Sequence, residues 1–380
     1  MRANIEKDGK LLFIKQVKLT AICQPKQHKT ISKKDMSDNG KYLLYGANGV
    51  IGRSDKYTHE HEALLITCRG ATCGTLNISK PMSYVNGNAM ALDKLSDQVS
   101  LKFLYYYLLQ RRLDDVITGS AQPQITKENL EKVNVSLPSL SKQKEIAQTL
   151  DKAQELIEHR KASIQKLDEL AQSIFIDMFG DPVENPKGWV KDKAEKHIQL
   201  LTGYPFKSQN YSTDENDIKL CGGLIITPHG IDWKKANHWN KNDVDELGKY
   251  WLKVDDIVMA MDRPWISSGF KIYQIRNTDP EALLVQRTAR IRPIKLNCKF
   301  LYFLYKEPSF AMQSKITETT VPHISPKDIQ NYNIILPPID LQNKFAQTIE
   351  KIEAQKSLYE AELTKLQAAF DALMAQSFEG

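Results

Sequence analysis

The segment LPSLSKQKEIAQTLDK at 137–152 recurs 199 positions later as LPPIDLQNKFAQTIEK at 336–351. The match runs without a gap from 123 to 179 and from 322 to 378. Two unrelated helices are not expected to keep one register over this length. The chain therefore contains a tandem duplication.

Each repeat predicts a strand that ends at a proline and a long helix that follows it. Pro138 closes the strand VNVSL, because proline lacks an amide hydrogen and disfavours the helical conformation in the residue before it. We predict long helices over 141–180 and 339–380, with Ser141 and Asp340 as their N-caps. Apolar residues recur at alternating spacings of four and three in the first helix, at 146, 150, 153, 157, 164, 167, 171, 174 and 178. This spacing over several heptads is typical of a coiled-coil seam.

The two seams predict that the helices pack on each other. One apolar stripe alone would more often pack on its own domain, but two stripes of matching length and phase are buried most simply against one another. The second seam is interrupted at Lys356 and Ser357, which leaves the helix geometry near that point open. Glycine and two prolines in FGDPVENPKGW at 179–189 end the first helix. We therefore predict a first domain over 1–140 and a second over 181–338.

Positive charge is concentrated outside the predicted helices. Counted together the helices carry a net charge of −4, whereas the whole chain carries +6, so the remaining residues carry +10. This distribution favours a polyanionic partner such as nucleic acid. A mildly basic surface without any partner fits the same count.

The cysteines and the hydropathy pattern favour a reducing compartment. Five cysteines are scattered along the chain, and an odd, scattered set does not suit a disulfide framework. No apolar stretch reaches the roughly 20 residues that cross a bilayer, and MRANIEKDGKLLF lacks the apolar core of a signal peptide. We expect a cytoplasmic protein with reduced cysteines.

Several segments together resemble the specificity (S) subunits of type I restriction-modification enzymes, over nearly the whole chain. They are the repeated helix segment at 137–182, the domain opening NPKGWVKDKAEKHIQLLTGYPFKSQNY at 185–211, the strand and turn YLLYGANGVIGRSDKY at 42–57, and the closing segments GSAQPQIT at 119–126 and ETTVPHIS at 318–325.

The resemblance implies an α+β fold and a function in DNA recognition. Two mixed α/β target-recognition domains would each read half of a split DNA sequence, and an antiparallel two-helix coiled coil with pseudo-two-fold symmetry would separate them. The implied partners are double-stranded DNA, two methyltransferase (M) subunits and restriction (R) subunits, with no membrane. We expect no cofactor in this chain. The assembled complex is expected to use S-adenosylmethionine, and ATP and Mg with the restriction subunit.

Motifs that would carry chemistry are weak in this sequence. GANGVIG at 46–52 matches neither phosphate-binding pattern and predicts a turn between strands. His59, His61, Cys68 and Cys73 offer four zinc ligands, but ALLITC between them predicts a buried strand whose alternation separates the side chains. The Asp/Asn-Pro-Pro-Tyr/Phe loop of adenine methyltransferases is absent. We therefore predict no catalytic residue, no metal site and no reaction performed by the chain itself.

The candidates for DNA contact are basic residues on predicted loops or strand ends. They are Arg53 and Arg69 in the first domain and Lys207, Lys234 and Arg263 in the second. Arginine and lysine bind phosphates and the edges of bases in the major groove. A solvated surface charge remains the alternative for each of them.

An aromatic, leucine-rich helix precedes each closing segment, LKFLYYYLLQRR at 101–112 and CKFLYFLYKEPS at 298–309. We predict that its aromatic side chains form the core and do not stack on bases. Two other functions stay open at this point. One is the specificity subunit of a smaller system with a fused methyltransferase-nuclease, and the other is a coiled-coil scaffold that does not bind DNA.

Overall fold

The chain folds as two compact units. Unit 1 comprises Met1–Ala162 and Ala361–Gly380, and unit 2 comprises Ser163–Glu360. The computed structural model describes residues 2–7, 10–31, 36–313 and 322–378. Among these residues, no helix combines the length and the apolar character that crossing a membrane requires.

Unit 1 contains short helices, many strands and the start of a long helix. The helices are α1 (Leu19–Ile22), α2 (Leu101–Arg111), α3 (Lys127–Leu130) and α4 (Leu140–Phe179), which continues into unit 2. The strands are β1 (Arg2–Lys7), β2 (Lys10–Lys18), β3 (Gln24–Gln27), β4 (Tyr42–Gly46), β5 (Gly49–Ser54), β6 (Leu64–Thr67), β7 (Leu76–Ile78), β8 (Ser83–Val85), β9 (Ala89–Asp93) and β10 (Asn134–Leu137).

Unit 2 follows the same plan. Its helices are α5 (Cys298–Lys306), α6 (Pro308–Gln313), α7 (Pro326–Asn331) and α8 (Ile339–Phe378), which continues into unit 1. Its strands are β11 (Lys191–Lys193), β12 (Ile198–Thr202), β13 (Ile218–Cys221), β14 (Ile226–Thr227), β15 (Gly230–Ile231), β16 (His238–Trp239), β17 (Ile257–Ala260), β18 (Trp265–Ile266), β19 (Gly269–Phe270), β20 (Ile272–Gln274), β21 (Ala282–Leu284), β22 (Thr288–Pro293) and β23 (Asn333–Ile335).

The sheets of the two units correspond. Unit 1 has an antiparallel sheet in the order β3-β9-β6-β7, and unit 2 has one in the order β12-β22-β17-β20. Each unit also has a three-stranded sheet with one parallel pair, β4 with β8 and β13 with β21. All four residues of β6 and of β17 are buried, as a short apolar run predicts for a central strand. The predicted α+β class is confirmed.

Both predicted long helices are confirmed, but their predicted N-caps are wrong. The hydroxyl of Ser139 accepts a hydrogen bond from the amide of Lys142 at 3.3 Å, so Ser139 and not Ser141 caps α4. The carbonyl of Pro338 accepts from Leu341, so α8 begins before Asp340, which lies in its first turn. α4 begins two residues after Pro138 and α8 begins directly after Pro338, so both helices begin closer to the preceding proline than the predicted caps imply.

The long helices pack on each other within each unit, in opposite directions. In unit 1 the start of α4 and the end of α8 share one core, which includes Leu150, Ile157, Phe370 and Met374. In unit 2 the end of α4 and the start of α8 share the other core, which includes Phe175, Phe179, Phe345 and Ile349. The predicted burial of the two seams against one another is confirmed. Each unit is therefore completed by the end of a helix that starts in the other unit.

Ion pairs join the helices where the apolar seams are interrupted. The guanidinium of Arg160 lies 2.7 Å from the carboxylate of Glu362, both in unit 1. The ammonium of Lys356 lies 2.6 Å from the carboxylate of Asp168, both in unit 2. Lys356 therefore keeps contact between the helices at a place where the sequence left their geometry open.

A buried glutamine has a structural role in the segment that is repeated at the start of each long helix. In unit 1 the side-chain carbonyl of Gln143 accepts from the amide of Ser100 at 2.9 Å, and its amide group donates to the carbonyls of Gln98 and Pro138. Ser100 is the N-cap of α2. Gln143 thereby fixes the start of the long helix to the start of the aromatic helix.

Gln342 makes the same connection in unit 2. Its side-chain carbonyl accepts from the amide of Asn297, the N-cap of α5, at 2.9 Å. Its amide group donates to the carbonyl of Pro337 at 2.8 Å. Gln143 and Gln342 are 1 % and 2 % exposed, so their hydrogen bonds are shielded from water.

The predictions for the turn and for the aromatic helices are confirmed. Gly46 ends β4 and Gly49 begins β5, and the two pair across the hairpin, so residues 47–48 form the turn between these strands. Phe103 in α2 and Phe300 in α5 are 1 % and 0 % exposed. These aromatic rings are core residues and are not available for stacking on bases.

Candidate nucleic-acid interface

In unit 1 the chain leaves the central strand β6 and meets the first closing segment. The amide of Gly70 donates to the carbonyl of Pro123 at 3.0 Å, and the amide of Ile125 donates to the carbonyl of Cys68 at 3.1 Å. These bonds hold Arg69 between them, at an isolated bridge with Gln124. Arg69 is exposed and lies two residues beyond the end of β6.

In unit 2 the chain makes the same pair of bonds after the central strand β17. The amide of Arg263 donates to the carbonyl of Pro322, and the amide of Ile324 donates to the carbonyl of Met261, both at 2.9 Å. Of the second closing segment, 318–321 lie outside the described residues. Pro123 and Pro322 are partners in the 199-residue repeat, so Gly70 and Arg263 occupy equivalent positions.

This shared position requires a backbone conformation that suits glycine. Its φ is +89° in Gly70 and +44° in Arg263. A positive φ costs a residue with a side chain roughly 1 to 2 kcal/mol, and such residues cluster at functional sites. Arg263 is therefore an exposed arginine at a position that favours glycine.

Arg69 lines a cleft of about 370 Å³ in unit 1. Two further cations, Lys26 and Lys127, and two amides, Gln27 and Gln124, line the same cleft. Lysine and arginine attract phosphates, and glutamine amides read the edges of bases. Glu128 also lines the cleft, so its lining combines three cations and two amides with one anion.

Arg263 lies beside a polar cluster centred on Asp262. The ring of His323 approaches one carboxylate oxygen of Asp262 at 2.6 Å, and Arg287 donates to the other at 2.9 Å. Partial burial opposes ionisation, but the hydrogen bonds from His323 and Arg287 outweigh it and lower the pKa of Asp262. His323 occupies the place that Gln124 has in unit 1, so the two units present different side chains on the same backbone.

Arg53 is held by its own domain. Its guanidinium donates to the carbonyl of Gly40 and, at 3.1 Å, to the carbonyl of Lys41. These bonds fix the loop before β4 against β5. Two nitrogen atoms of the Arg53 guanidinium are therefore bonded within its own domain.

Lys207 and Lys234 lie in separate exposed single turns of unit 2. Lys207 precedes the turn Ser208–Asn210, and Lys234 is within the turn Trp233–Lys235. Within the described part of the chain, no hydrogen bond or ion pair joins either lysine to Arg263. Both are suited to contact phosphates, which needs only an exposed charge.

The four zinc ligands considered from the sequence are not brought together. No three of them converge within the ranges that the structure describes. Burial raises the pKa of the Cys68 thiol, which accepts a hydrogen bond from the side-chain amide of Gln27 at 2.8 Å. His61 is exposed.

Sequence reasoning missed several polar residues of these two surfaces. Lys26 and Lys127 lie far from Arg69 in the sequence, and Arg287 lies just before β22. Only the alignment of the repeat offered a signal, because it pairs Gln124 with His323 in the closing segments. Different polar residues on a repeated frame are what two diverged recognition sites would show.

The chain matches a known family model twice. The model is described as the type I restriction modification DNA specificity domain, and it matches residues 14–169 and 202–368. The two matches end 199 residues apart, which is the offset of the repeat. Together they cover most of the chain.

Curated relatives and solved structures agree with this match. The MjaVIII specificity subunit of Methanocaldococcus jannaschii is 23% identical over 353 residues, which cover 87% of this chain and 82% of the relative. The EcoKI specificity subunit of Escherichia coli K12 is 21% identical over 367 residues, which cover 88% and 72%.

The fold is similar to that of solved S subunits. The crystal structure of an S subunit from M. genitalium has a TM-score of 0.63 at 17% identity and covers 100% of this chain and 99% of that one. A chain from a structure of a type I restriction-modification system, described for its complex assembly, has a TM-score of 0.52 at 14% identity and covers 96% and 97%. With its repeated units, exchanged helices and two matched domains, the chain belongs to the family of type I restriction-modification DNA specificity proteins.

Proposed function

We propose that this chain is the DNA sequence-specificity subunit of a type I restriction-modification system and reads a bipartite target. The loop after β6 and the loop after β17 each face one half of the target. The observation that supports this proposal most directly is the structural equivalence of these two loops. The same backbone bonds hold both loops, yet unit 1 presents Arg69 and Gln124 where unit 2 presents Asp262, Arg263 and His323.

The chemistry of recognition follows from these side chains. The net positive charge outside the helices provides salt-dependent attraction to phosphates without sequence preference. Arg69 and Arg263 supply the forked donors that bind guanine in the major groove, and Gln124 supplies the donor and acceptor pair that fits adenine. In this proposal the cleft in unit 1 and the loops after β6 and β17 provide sequence selectivity. Exposed lysines such as Lys207 and Lys234 provide affinity.

The paired helices act as the spacer between the two half-sites. Each is 40 residues long, which at 1.5 Å per residue gives a rod of about 60 Å. Each unit contains parts of both helices in its core, and in this proposal the paired helices set the spacing between the two halves of the target.

The outer faces of the helices serve the partner subunits. Leu156 and Leu170 on α4 and Leu358 on α8 are 55 %, 47 % and 60 % exposed. Apolar side chains on an otherwise polar helix fit a protein partner, here two M subunits, with R subunits joining them. S-adenosylmethionine belongs to the M subunits, and ATP and Mg belong to the R subunits. The chain itself performs no reaction in this proposal.

Replacing Arg263 by glycine tests the recognition of DNA separately from the stability of the fold. Glycine adopts the positive φ freely, so we expect Arg263→Gly to raise the free energy of unfolding by up to about 1 kcal/mol. We also expect discrimination at one half-site to fall by about 5- to 150-fold, equivalent to the roughly 1 to 3 kcal/mol of a bidentate arginine contact. Urea unfolding measures the first effect, and sequencing of methylated host DNA measures the second.

Two further variants complete this test. Arg69→Ala is expected to relax the other half-site only. Arg112→Ala removes an exposed arginine whose ion pair with Asp114 is weak, so it is expected to change neither half-site. Unchanged target choice in Arg263→Gly would show that the loop after β17 does not read DNA.

A further inference from the structure

Two histidines and an aspartate from separate parts of unit 1 converge on one point. His28 follows β3, His59 pairs with Ser83 of β8, and Asp93 ends β9. The Nε2 atom of His28 lies 2.9 Å from one carboxylate oxygen of Asp93, and the Nε2 atom of His59 lies 2.8 Å from the other. Throughout the described residues, this is the one group of three histidine, cysteine or acidic side chains whose ligand atoms all lie within 4.8 Å of one another.

The group is sheltered and its orientation is fixed. The side chains of His28, His59 and Asp93 are 14 %, 11 % and 18 % exposed. The two imidazole rings meet edge to face, with their centroids 4.7 Å apart. The Asp93 carboxylate lies between the two rings, and each Nε2 atom is directed at a different oxygen of that carboxylate.

A second set of contacts resembles the support that metal-binding histidines have. The hydroxyl of Thr58 lies 2.8 Å from Nδ1 of His59, and the same hydroxyl accepts from the amide of Val85 at 2.9 Å. A partner on Nδ1 holds the imidazole in the tautomer that leaves Nε2 free to bind a metal. The hydroxyl oxygen of Thr58 can accept a hydrogen bond from a protonated Nδ1 of His59. Its own hydrogen then points to the carbonyl of Ser83, which is 3.4 Å away.

We propose that His28, His59 and Asp93 form a binding site for a divalent transition-metal ion, and that Zn²⁺ is the ion which these ligands fit best. Two imidazole nitrogens and one carboxylate oxygen are typical zinc ligands at distances of about 2.0 to 2.2 Å. Magnesium is a poorer fit, because it prefers oxygen ligands in octahedral geometry. The ligand atoms lie within 4.8 Å of one another, so the site requires side-chain rotations that bring each of them to these distances from the ion, with a water molecule as the fourth ligand.

The metal would join two of the sheets of unit 1. Asp93 ends β9 of the sheet β3-β9-β6-β7 and His28 directly follows β3 of that sheet, whereas His59 is bonded to β8 of the sheet β5-β4-β8. His28 also directly follows Gln27, which lines the cleft beside Arg69. Metal binding would therefore stabilise unit 1 and fix one wall of that cleft.

A His–Asp–His group that is held only by hydrogen bonds, without a metal, has the same geometry. A Zn²⁺ titration distinguishes such a group from a metal site. The full-length chain is dialysed against a chelator, returned to chelator-free buffer and titrated with Zn²⁺ in a calorimeter. We expect one equivalent to bind. His28→Gln and His59→Gln retain a side-chain donor for Asp93 but remove a ligand. Each is expected to weaken binding by about 100-fold or more, because loss of a supporting partner alone costs about 10- to 100-fold.

His61→Ala and Cys73→Ser are the matched controls, since they remove nearby zinc-binding side chains that are not part of the group. Both are expected to bind Zn²⁺ as the unaltered chain does. The thermal midpoint of the unaltered chain is expected to rise with Zn²⁺ and that of His59→Gln to stay constant. Absence of binding to the unaltered chain at 100-fold molar excess, or equal binding by His28→Gln and His59→Gln, would overturn the site. The test uses no DNA, so its outcome is independent of the proposed function.

Discussion

Phe175→Ala is expected to destabilise unit 2 by about 3 to 5 kcal/mol, the range for removing a buried aromatic ring. Phe175 is 0 % exposed, and its ring lies within 5.2 to 6.2 Å of four other phenylalanine rings, counted between centroids. It belongs to a helix that begins in unit 1. The loss of stability should nevertheless appear in unit 2, because the end of α4 completes that core.

Phe370→Ala provides the reciprocal experiment. Phe370 is near the end of the chain, but its ring packs in the core of unit 1, 6.3 Å from Tyr106. Amide hydrogen exchange should accelerate in β6 and β9 of unit 1 for Phe370→Ala, and in β17 and β22 of unit 2 for Phe175→Ala.

Ile176→Ala is the control for this pair, because Ile176 is adjacent to Phe175 on α4 but is 38 % exposed. It is expected to cost clearly less than Phe175→Ala. If Phe175→Ala accelerated amide hydrogen exchange in unit 1 only, the end of α4 would not complete the core of unit 2.

Gln143→Leu is expected to destabilise unit 1 by about 2 to 5 kcal/mol. Leucine fills a similar volume but leaves the amide of Ser100 and the carbonyls of Gln98 and Pro138 without their partner. Each buried polar group that loses its hydrogen bond costs about 1 to 3 kcal/mol, partly offset when water or a rearranged side chain reaches it.

Gln165→Leu is the matched control on the same helix. Gln165 is exposed and its hydrogen bond to Glu169 is open to solvent, so this change is expected to alter stability by less than about 0.5 kcal/mol. Gln342→Leu should repeat the loss in unit 2. Equal urea midpoints for Gln143→Leu and Gln165→Leu would show that the repeated glutamine has no structural role.

Periodicity and repetition allowed the frame to be predicted from the sequence. The long helices, their shared seam and the aromatic cores depend on the spacing of apolar residues, which is visible in one chain. The N-caps at Ser141 and Asp340 were placed too late, because both Ser139 and Ser141 suit a cap and only the path of the chain after Pro138 selects between them. The alignment marked Gln143 and Gln342 as equal, but their buried bonds depend on tertiary contacts.

The candidate interface was harder to predict, because it depends on loop conformation. Arg53, Arg69 and Arg263 are equally basic in the sequence. In the structure, Arg53 is bonded to its own backbone, Arg69 faces a cleft with two lysines, and Arg263 adopts a positive φ. No local pattern distinguishes these environments. The sequence did not predict the group formed by His28, His59 and Asp93 either, because neither His28 nor Asp93 is near His59 in the chain.

The most direct test of two different recognition units on one shared frame is single-molecule sequencing of genomic DNA from cells with and without this gene. We expect deletion to remove one N6-methyladenine motif made of two unlike halves at a constant spacing, and the intact gene to restore it. Survival of every methylated motif, or loss of a single uninterrupted motif, would contradict the account.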